Sequence, residues 1–240
     1  MKKHIPNFLT CLNLVCGCLA VVQIFRNHLE WSAYLVLAAA FFDLLDGMIA
    51  RMLNVSSPIG KELDSLADMI SFGFVPGAIL FKMMQLNIDS ISAYENVNSF
   101  VQFLPFVVTV FSALRLAKFN IDTRQSNSFL GLPTPANTIL IISFPLIIAH
   151  DTFNLSNLLL NPWFIIGITI LQSALLVSEI PLIALKFKNF SWKDNSYQYI
   201  LILASAILLI AIQFAAIPVI VFVYILLSLL KREPRTKNQE

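Results

Sequence analysis

Residues 43–68 read DLLDGMIARMLNVSSPIGKELDSLAD and hold five of the fourteen acidic residues in this 240-residue chain. The surrounding sequence is strongly apolar, with 58% hydrophobic residues, 12% charged residues and a mean hydropathy of +0.77. A carboxylate near the centre of a bilayer costs about 3 kcal/mol or more unless it faces a cavity, a partner or a cation. Acids concentrated within apolar segments therefore indicate a functional site.

On both sides of this stretch the chain divides into apolar segments of about 20 residues, the length that a membrane-spanning helix needs. The pattern predicts an all-α, polytopic integral membrane protein with about eight transmembrane helices. The predicted spans lie near residues 8–25, 31–53, 64–86, 100–119, 133–150, 162–185, 197–213 and 216–230. The last two form one apolar run, and we expect the break near Ala215 to Pro218, because proline removes a helix donor.

The basic residues predict the orientation, because Lys and Arg in short loops are retained on the cytoplasmic side. With the N-terminus inside, 14 of the 16 basic residues fall on that side, and only Arg26 and Lys82 fall outside. We therefore expect a multi-pass protein of the inner (cytoplasmic) membrane with both termini cytoplasmic. Residues 1–230 are expected to form a single transmembrane domain, and residues 231–240 a short basic cytoplasmic tail. The net charge of +2 does not indicate a nucleic-acid partner, and none is expected.

The spacing of the aspartates predicts that four carboxylates converge. Asp43 and Asp46 are three residues apart on the second span, and Asp64 and Asp68 are four apart on the third, so each pair shares a helix face. The turn at residues 54–60 joins the two helices as an antiparallel hairpin on the cytoplasmic side. The four side chains can therefore meet at one depth in the membrane.

Four converging carboxylates would repel one another strongly without a cation. Ligation by oxygen alone favours magnesium, manganese or calcium over zinc, which prefers His or Cys, and residues 43–68 contain neither. Two ions bridged by shared carboxylates also suit a displacement at phosphorus, because they can stabilise both the attacking and the leaving oxygen.

The fixed residues of this stretch follow the pattern D-x2-D-G-x2-A-R-x8-G-x3-D-x3-D. This order resembles the signature of the CDP-alcohol phosphatidyltransferases at every fixed position. The resemblance implies that residues 1–230 are a catalytic domain and that Asp43, Asp46 and Asp64 bind metal. It implies that Asp68 both binds metal and acts as the general base. The implied cofactor is Mg²⁺ or Mn²⁺, with two ions in each active site.

The resemblance also implies a binding site for CDP-diacylglycerol, with membrane lipid around it. The expected contacts are Asn7, Gly47, Ala50, Arg51, Ser57 and Gly60. Gly47 and Ala50 are small enough to let the nucleotide approach the helix backbone, and Arg51 is placed to contact phosphate or ribose. Ser57 is either a further nucleotide contact or a turn residue without contact to the ligand.

Two further segments, RLAKFN at residues 115–120 and FLGLPTPAN at residues 129–137, resemble the serine-using members of the family. The opening segment IPNFLTCLNLVCGCLA, residues 5–20, is similar to the start of the bacterial and archaeal members of that group. Serine carries a carboxylate and an ammonium group, so its pocket needs a cation and polar acceptors. The expected serine contacts are Arg115, Lys118, Asn120 and Thr134. The alternative role of the two cations is orientation of the protein in the membrane.

Together these resemblances imply an enzyme that transfers a phosphatidyl group from CDP-diacylglycerol to L-serine and releases CMP. Direct displacement is favoured because no candidate covalent nucleophile lies beside a base. Another acceptor is the first alternative: glycerol 3-phosphate, inositol phosphate or choline. A cation transporter is the alternative from another class, but transport sites usually lie near mid-membrane between repeated halves. The family resemblance also implies a homodimer.

Overall fold

The computed structural model of the protein describes residues 4–88, 100–121, 129–150, 153–182 and 192–230. The predicted loops at residues 89–99 and 122–128 and the predicted basic tail at 231–240 lie outside the described residues. The described helices are α1 (His4–Phe25), α2 (Leu29–Met52), α3 (Pro58–Asp68), α4 (Val75–Ile88), α5 (Phe106–Ile121), α6 (Thr134–His150), α7 (Ser156–Leu159), α8 (Pro162–Val177), α9 (Trp192–Ile212) and α10 (Ala216–Leu230). A π-helical segment (Met69–Phe74) joins α3 to α4, and short 3₁₀ turns cover Val101–Phe103 and Gln213–Ala215.

This architecture confirms the all-α prediction, with one small addition. Two-residue strands β1 (Phe129–Leu130) and β2 (Pro181–Leu182) pair antiparallel. The predicted span at 162–185 is too long, because α8 ends at Val177 and Ser178 is already extended. The chain leaves the helix at this point to pair with β1, and the amide of Gly131 donates to the carbonyl of Ile180 at 3.0 Å.

Each of the eight predicted spans overlaps a helix, but the span at 64–86 covers part of α3, the π-helical segment and most of α4, and the span at 162–185 extends past the end of α8. Within the described part of the chain, five regions are long and apolar enough to cross a membrane: His4–Phe25, Leu29–Met52, Pro58–Leu86, Val101–Ile121 and Gln198–Leu229. The shorter helices α6 and α8 have 17 and 16 residues. The last region is interrupted slightly before the break predicted near Ala215 to Pro218. Gln213 has a φ of +49° and the 3₁₀ turn at Gln213–Ala215 separates α9 from α10, whose first turn includes Pro218. The number of crossings itself stays a prediction.

The hairpin of α2 and α3 has well-defined ends on both sides of its turn. After α2, Asn54 adopts a left-handed conformation with a φ of +50°. The amide of Val55 then bonds the carbonyl of Ala50 at 3.0 Å, and the amide of Asn54 bonds that of Arg51 at 3.2 Å, which is a Schellman arrangement. Ser57 begins α3 by accepting a hydrogen bond from the amide of Gly60, followed by Pro58 in the first turn.

The π-helical segment directly after Asp68 forms the centre of the bundle. A π-turn displaces backbone carbonyls from the regular helical hydrogen-bond pattern. Hydroxyl groups of neighbouring helices contact two of these carbonyls. Thr109 Oγ1 of α5 donates to the carbonyl of Gly73 at 3.1 Å. Thr138 Oγ1 of α6 lies 2.9 Å from the carbonyl oxygen of Phe72 and 2.8 Å from that of Thr134 in its own helix, and its one proton serves either acceptor. These contacts fix α5 and α6 against the chain within two helical turns of Asp68.

Helix α1 packs on the other side of the same segment. Its buried face consists of Pro6, Thr10, Asn13, Gly17, Ala20 and Ile24. Gly17 is required there, because a Cβ atom at this position would collide with Ser71 Oγ and lie 3.1 Å from Ser71 Cα. The close approach brings the polar residues of α1 beside the aspartates of the hairpin.

Candidate active site

The hairpin of α2 and α3 brings three of the four predicted metal ligands together. Asp43, Asp64 and Asp68 each offer a carboxylate oxygen, and these oxygens all lie within 4.8 Å of one another. Asp46 interacts electrostatically with both Asp43 and Asp64. Asp46 is buried, with 6% of its surface exposed, and the other three are half-buried. The structure therefore gathers Asp43, Asp64 and Asp68, with Asp46 as an electrostatic neighbour of the cluster.

Two polar residues of α1, which the sequence analysis did not select, hold two of these aspartates. Thr10 Oγ1 lies 2.6 Å from Asp46 Oδ2 and 3.1 Å from the carbonyl oxygen of Pro6. Its single proton can serve only one acceptor at a time, and the shorter contact favours the carboxylate. Asn13 Nδ2 donates to Asp68 Oδ1 at 3.2 Å. In the sequence, both residues were recognisable only as polar positions within an otherwise apolar helix. The structure shows that they lie on its buried face.

The donor set fits a hard divalent cation. Its members are carboxylates, and oxygen ligands are those that magnesium, manganese and calcium prefer. Mutual repulsion among close carboxylates in a poorly solvated site is relieved when a cation lies between them. Asp43, Asp64 and Asp68 can therefore hold a divalent metal ion.

The surroundings of Gly47 leave room for a ligand beside α2. A Cβ atom at Gly47 would meet no other atom within 4 Å, so packing of the protein does not require glycine there. Arg51, one turn further along α2, is exposed, and its Nε donates to the carbonyl of Gly47 at 3.0 Å. Ala50 is half-buried next to it. This small, open surface lies in the last two turns of α2, close to the hairpin turn.

Ser57 and Gly60, two predicted nucleotide contacts, also have structural roles at the start of α3. Ser57 Oγ caps the helix, which agrees with the alternative role as a turn residue. A Cβ atom at Gly60 would lie 2.9 Å from both Ser57 Oγ and Asn7 Oδ1. Gly60 therefore lets the start of α1 approach the hairpin, and Asn7, an expected nucleotide contact, lies beside Gly60.

Arg115 is a buried cation on α5, with 7% of its surface exposed. Its Nε has no hydrogen-bond partner, and none of the described residues forms an ion pair with it. Tyr224 of α10 lies close enough to interact with it electrostatically. Tyr224 also belongs to a small apolar cluster with Leu132, two residues before the predicted contact Thr134. Arg115 and the start of α6 therefore lie on a common side of the bundle.

The depth of Arg115 follows from contacts on both sides of it. Asn120 Nδ2 donates to Ser65 Oγ at 2.8 Å, and Thr109 Oγ1 donates to the carbonyl of Gly73. Helix α5 therefore runs antiparallel to α3 and the π-helical segment. Arg115 lies between these two contacts, so it is near the level of Asp68.

The other three predicted serine contacts differ in their surroundings. Lys118 is exposed near the end of α5. Asn120 is already engaged, because its side chain bonds Ser65 and its carbonyl accepts from Lys61 Nζ at 3.3 Å. Thr134 is buried at the first position of α6.

Several buried polar side-chain atoms near these helices have no hydrogen-bond partner in the described part of the chain. They belong to Ser112, Asn137, Gln172, Ser173 and Gln198. Asn137, the last residue of FLGLPTPAN, is fully buried with neither side-chain amide atom bonded. Buried polar atoms without protein partners generally meet water or a ligand. The sequence analysis quoted this segment but did not select Asn137.

The model of the CDP-alcohol phosphatidyltransferase family matches residues 3–184, which include α1 to β2 and all four aspartates. The chain belongs to the CDP-alcohol phosphatidyltransferase family. It is therefore a membrane phosphotransferase, and the acid cluster is the expected position of its active site. The matched region ends before α9 and α10, so Tyr224 comes from a part of the chain beyond it.

Curated relatives in bacteria and archaea carry names that include an acceptor. A CDP-diacylglycerol–serine O-phosphatidyltransferase of Bacillus subtilis (strain 168) is 31% identical over 66% of this chain and 88% of its own length. One of Helicobacter pylori (strain J99) is 29% identical over 84% of this chain and 80% of its own length. An archaetidylserine synthase of Methanothermobacter thermautotrophicus is 33% identical over 58% of this chain and 57% of its own length.

Proposed function

We propose that this phosphatidyltransferase transfers the phosphatidyl group of CDP-diacylglycerol to L-serine, giving phosphatidylserine and CMP. The observation that carries the proposal is the convergence of Asp43, Asp64 and Asp68 in a chain whose curated relatives are named for transfer to serine. The family membership accounts for the donor, and the relatives' names support the acceptor. The family membership supports group transfer over the alternative function of cation transport.

Asp43, Asp46, Asp64 and Asp68 would hold the divalent cations, which we propose to be two Mg²⁺ or Mn²⁺ ions. When bound, such ions neutralise the pyrophosphate and the charge that develops during displacement at phosphorus. Thr10 occupies one oxygen of Asp46, which fixes the orientation of that carboxylate toward Asp43 and Asp64. The residues of the chain thus arrange the ligand oxygens before substrate arrives.

Asp68 is proposed to be the general base. It would take the proton from the serine hydroxyl, whose oxygen forms the new bond to the phosphorus on the lipid side as the bond to CMP breaks. A general base must lie within hydrogen-bond reach of the proton that it takes. Asp68 lies in the acid cluster and near the level of Arg115. It can therefore reach a substrate that is held between the acid cluster and Arg115.

The nucleotide half of the donor is proposed to lie along α2 and the hairpin turn. The open space at Gly47 lets a nucleotide approach the helix backbone, and the exposed Arg51 guanidinium can contact a phosphate. Asn7 lies beside Gly60 at the edge of this surface. Ala50 and Ser57 complete the proposed contact set, Ser57 in addition to its capping role.

Arg115 is proposed to bind the carboxylate of serine. A buried guanidinium without an ion pair among the described residues is costly unless an anion meets it. Thr134 and the unbonded amide of Asn137 offer neutral polar groups on the neighbouring helix. Lys118 and Asn120 would have smaller roles, since Lys118 is exposed and Asn120 is bonded to Ser65.

Replacing Arg115 by glutamine is expected to raise the serine KM by about 10- to 150-fold, because a charge-assisted hydrogen bond contributes about 1.5 to 3 kcal/mol. The KM for CDP-diacylglycerol should stay within about threefold. Lys118→Gln is the matched control, since it removes the same charge one turn away on the exposed surface. Steady-state kinetics with each substrate varied in turn measures both constants. Equal effects of the two substitutions on the serine KM would contradict the assignment to Arg115.

The acceptor itself is tested by incubating purified protein with CDP-diacylglycerol, Mn²⁺ and each labelled acceptor separately. We expect CMP release and a labelled lipid with serine. Product formed only with glycerol 3-phosphate, inositol phosphate or choline would overturn the acceptor but leave the metal and base assignments intact. No CMP release with any acceptor would contradict the proposed reaction as a whole.

We further propose that residues 1–230 form one catalytic domain in the inner (cytoplasmic) membrane, with both termini and the hairpin turn on the cytoplasmic side. The positions of the basic residues support this orientation. Labelling of Ser126→Cys by an impermeant reagent in intact cells, in a background without the native cysteines, would contradict it.

We also propose a homodimer, as is common in the family. A monomeric mass in detergent, measured by light scattering, would argue against the dimer.

A further inference from the structure

Asn13 is a fully buried polar residue in the middle of an apolar helix, and its surroundings differ from those of a structural asparagine. Its Nδ2 donates to Asp68 Oδ1 at 3.2 Å, but its Oδ1 has no hydrogen-bond partner among the residues that the structure describes. A buried amide that served packing alone would be expected to have both groups bonded. An apolar residue of similar volume would cost the fold less at this position.

The backbone of Asn13 is fixed independently of its side chain. Ser71 Oγ donates to the main-chain carbonyl of Asn13 at 3.1 Å, and the nearby Gly17 allows α1 to approach Ser71 closely. The attachment of α1 to the π-helical segment therefore does not depend on the amide. The side chain remains available to orient the carboxylate one helical turn before Ser71.

The chemistry of the amide suits this position. An ionised carboxylate only accepts hydrogen bonds, so the NH₂ group of Asn13 faces Asp68 and the carbonyl oxygen faces away from it. A lysine or arginine could also donate, but its charge would compete with a cation for the acids. A neutral donor holds one oxygen of Asp68 without changing the charge of the four-aspartate site.

We propose that Asn13 is a positioning residue for Asp68: it fixes the plane of the carboxylate so that Asp68 can take the proton of the acceptor hydroxyl. The proposal rests on the function proposed above, in which Asp68 is the base. It assigns to α1 a part in the chemical step in addition to any contact with the nucleotide. Hydrogen-bond partners of site carboxylates generally change activity by about 10- to 100-fold when removed.

The test compares Asn13→Leu, which removes both amide groups at similar volume, with Asn13→Gln, which retains the donor. We expect Asn13→Leu to lower kcat by about 10- to 100-fold while the KM for CDP-diacylglycerol changes less than about threefold. Its melting temperature in detergent should equal or exceed that of the wild type, because a buried unbonded carbonyl oxygen is lost. Asn13→Gln should keep more of the turnover than Asn13→Leu.

Ser71→Ala is the matched control, since it removes the hydroxyl bond to the main chain of Asn13 without touching the amide, and it should keep kcat close to that of the wild type. Mn²⁺ binding, measured by paramagnetic resonance, should change less than about threefold in Asn13→Leu, since this substitution leaves all four aspartates in place. A kcat of Asn13→Leu within twofold of the wild type would overturn the proposal. A fall in kcat that excess Mn²⁺ restores to the wild-type value would also overturn it, because Asn13 would then act through metal binding and not through proton transfer at Asp68.

All rates are compared with the wild type on the acceptor that it uses in the assay above. A wild type that ignores serine but accepts another alcohol therefore refutes the serine assignment alone. The comparison of Asn13→Leu with Ser71→Ala still decides the role of Asn13 in that case.

Discussion

Asp64→Asn is expected to leave a folded protein whose turnover falls by more than about a thousandfold. Charge stabilisation by bound metal supplies several kcal/mol to the transition state, and each 1.36 kcal/mol corresponds to a tenfold change in rate. Asp64 lies in the three-acid cluster, so its loss removes one ligand and one negative charge. CMP release from CDP-diacylglycerol in the presence of serine and Mn²⁺ measures the effect. Asp43→Asn and Asp46→Asn are expected to act in the same direction.

Glu62→Gln is the control for Asp64→Asn, because it removes an exposed carboxylate from the same helix outside the cluster. It should retain wild-type turnover and Mn²⁺ binding. Paramagnetic resonance should show weaker Mn²⁺ binding in Asp64→Asn, and gel filtration in detergent should show an unchanged profile. Full activity of the wild type in excess chelator would refute the requirement for metal.

Asp68→Asn is expected to lower kcat by at least about a hundredfold, the usual lower bound for removal of a general base. The loss should exceed this bound, because Asp68 is also proposed to hold metal and the substitution then removes a carboxylate ligand as well. Binding of CDP-diacylglycerol should suffer less than turnover, because the proposed nucleotide contacts lie along α2 and the hairpin turn. Single-turnover kinetics together with equilibrium binding of CDP-diacylglycerol separates the two effects.

Asn13→Leu is the natural comparison for Asp68→Asn. If Asn13 acts through Asp68, the double substitution should be no slower than Asp68→Asn alone, because residues that act as a unit are not additive. A double variant that loses the product of the two single effects would show that the residues act separately. Turnover in Asp68→Asn within tenfold of the wild type would contradict the assignment of the base.

The acid cluster could be predicted because its determinants are local. Aspartates three or four residues apart share a helix face, and a short turn with Asn54, Ser57 and Pro58 makes the two helices neighbours. Charged residues in apolar segments are rare enough that their positions alone indicate a site. The helices were predictable for the same reason, because hydrophobicity and proline positions are properties of short windows.

The partners of the aspartates could not be predicted, because they come from α1, far away in the sequence. Thr10 and Asn13 look like ordinary polar residues in an apolar helix until Gly17 and Ser71 are seen to bring that helix against the hairpin. The end of α8 was predicted wrongly for a similar reason. Hydrophobicity continues past Val177, but pairing of β1 with β2 draws the chain out of the helix.

The sequence by itself therefore determined the membrane class, the family signature and the four carboxylates, since each depends on composition or on spacing within one or two helical turns. The tertiary structure alone decided which groups surround those carboxylates. The π-helical segment after Asp68, the hydroxyls of Thr109 and Thr138 that contact it, and the buried Arg115 beside Tyr224 all involve contacts between distant helices. Such contacts depend on how the helices pack against one another, and periodicity along one helix carries no information about its partner.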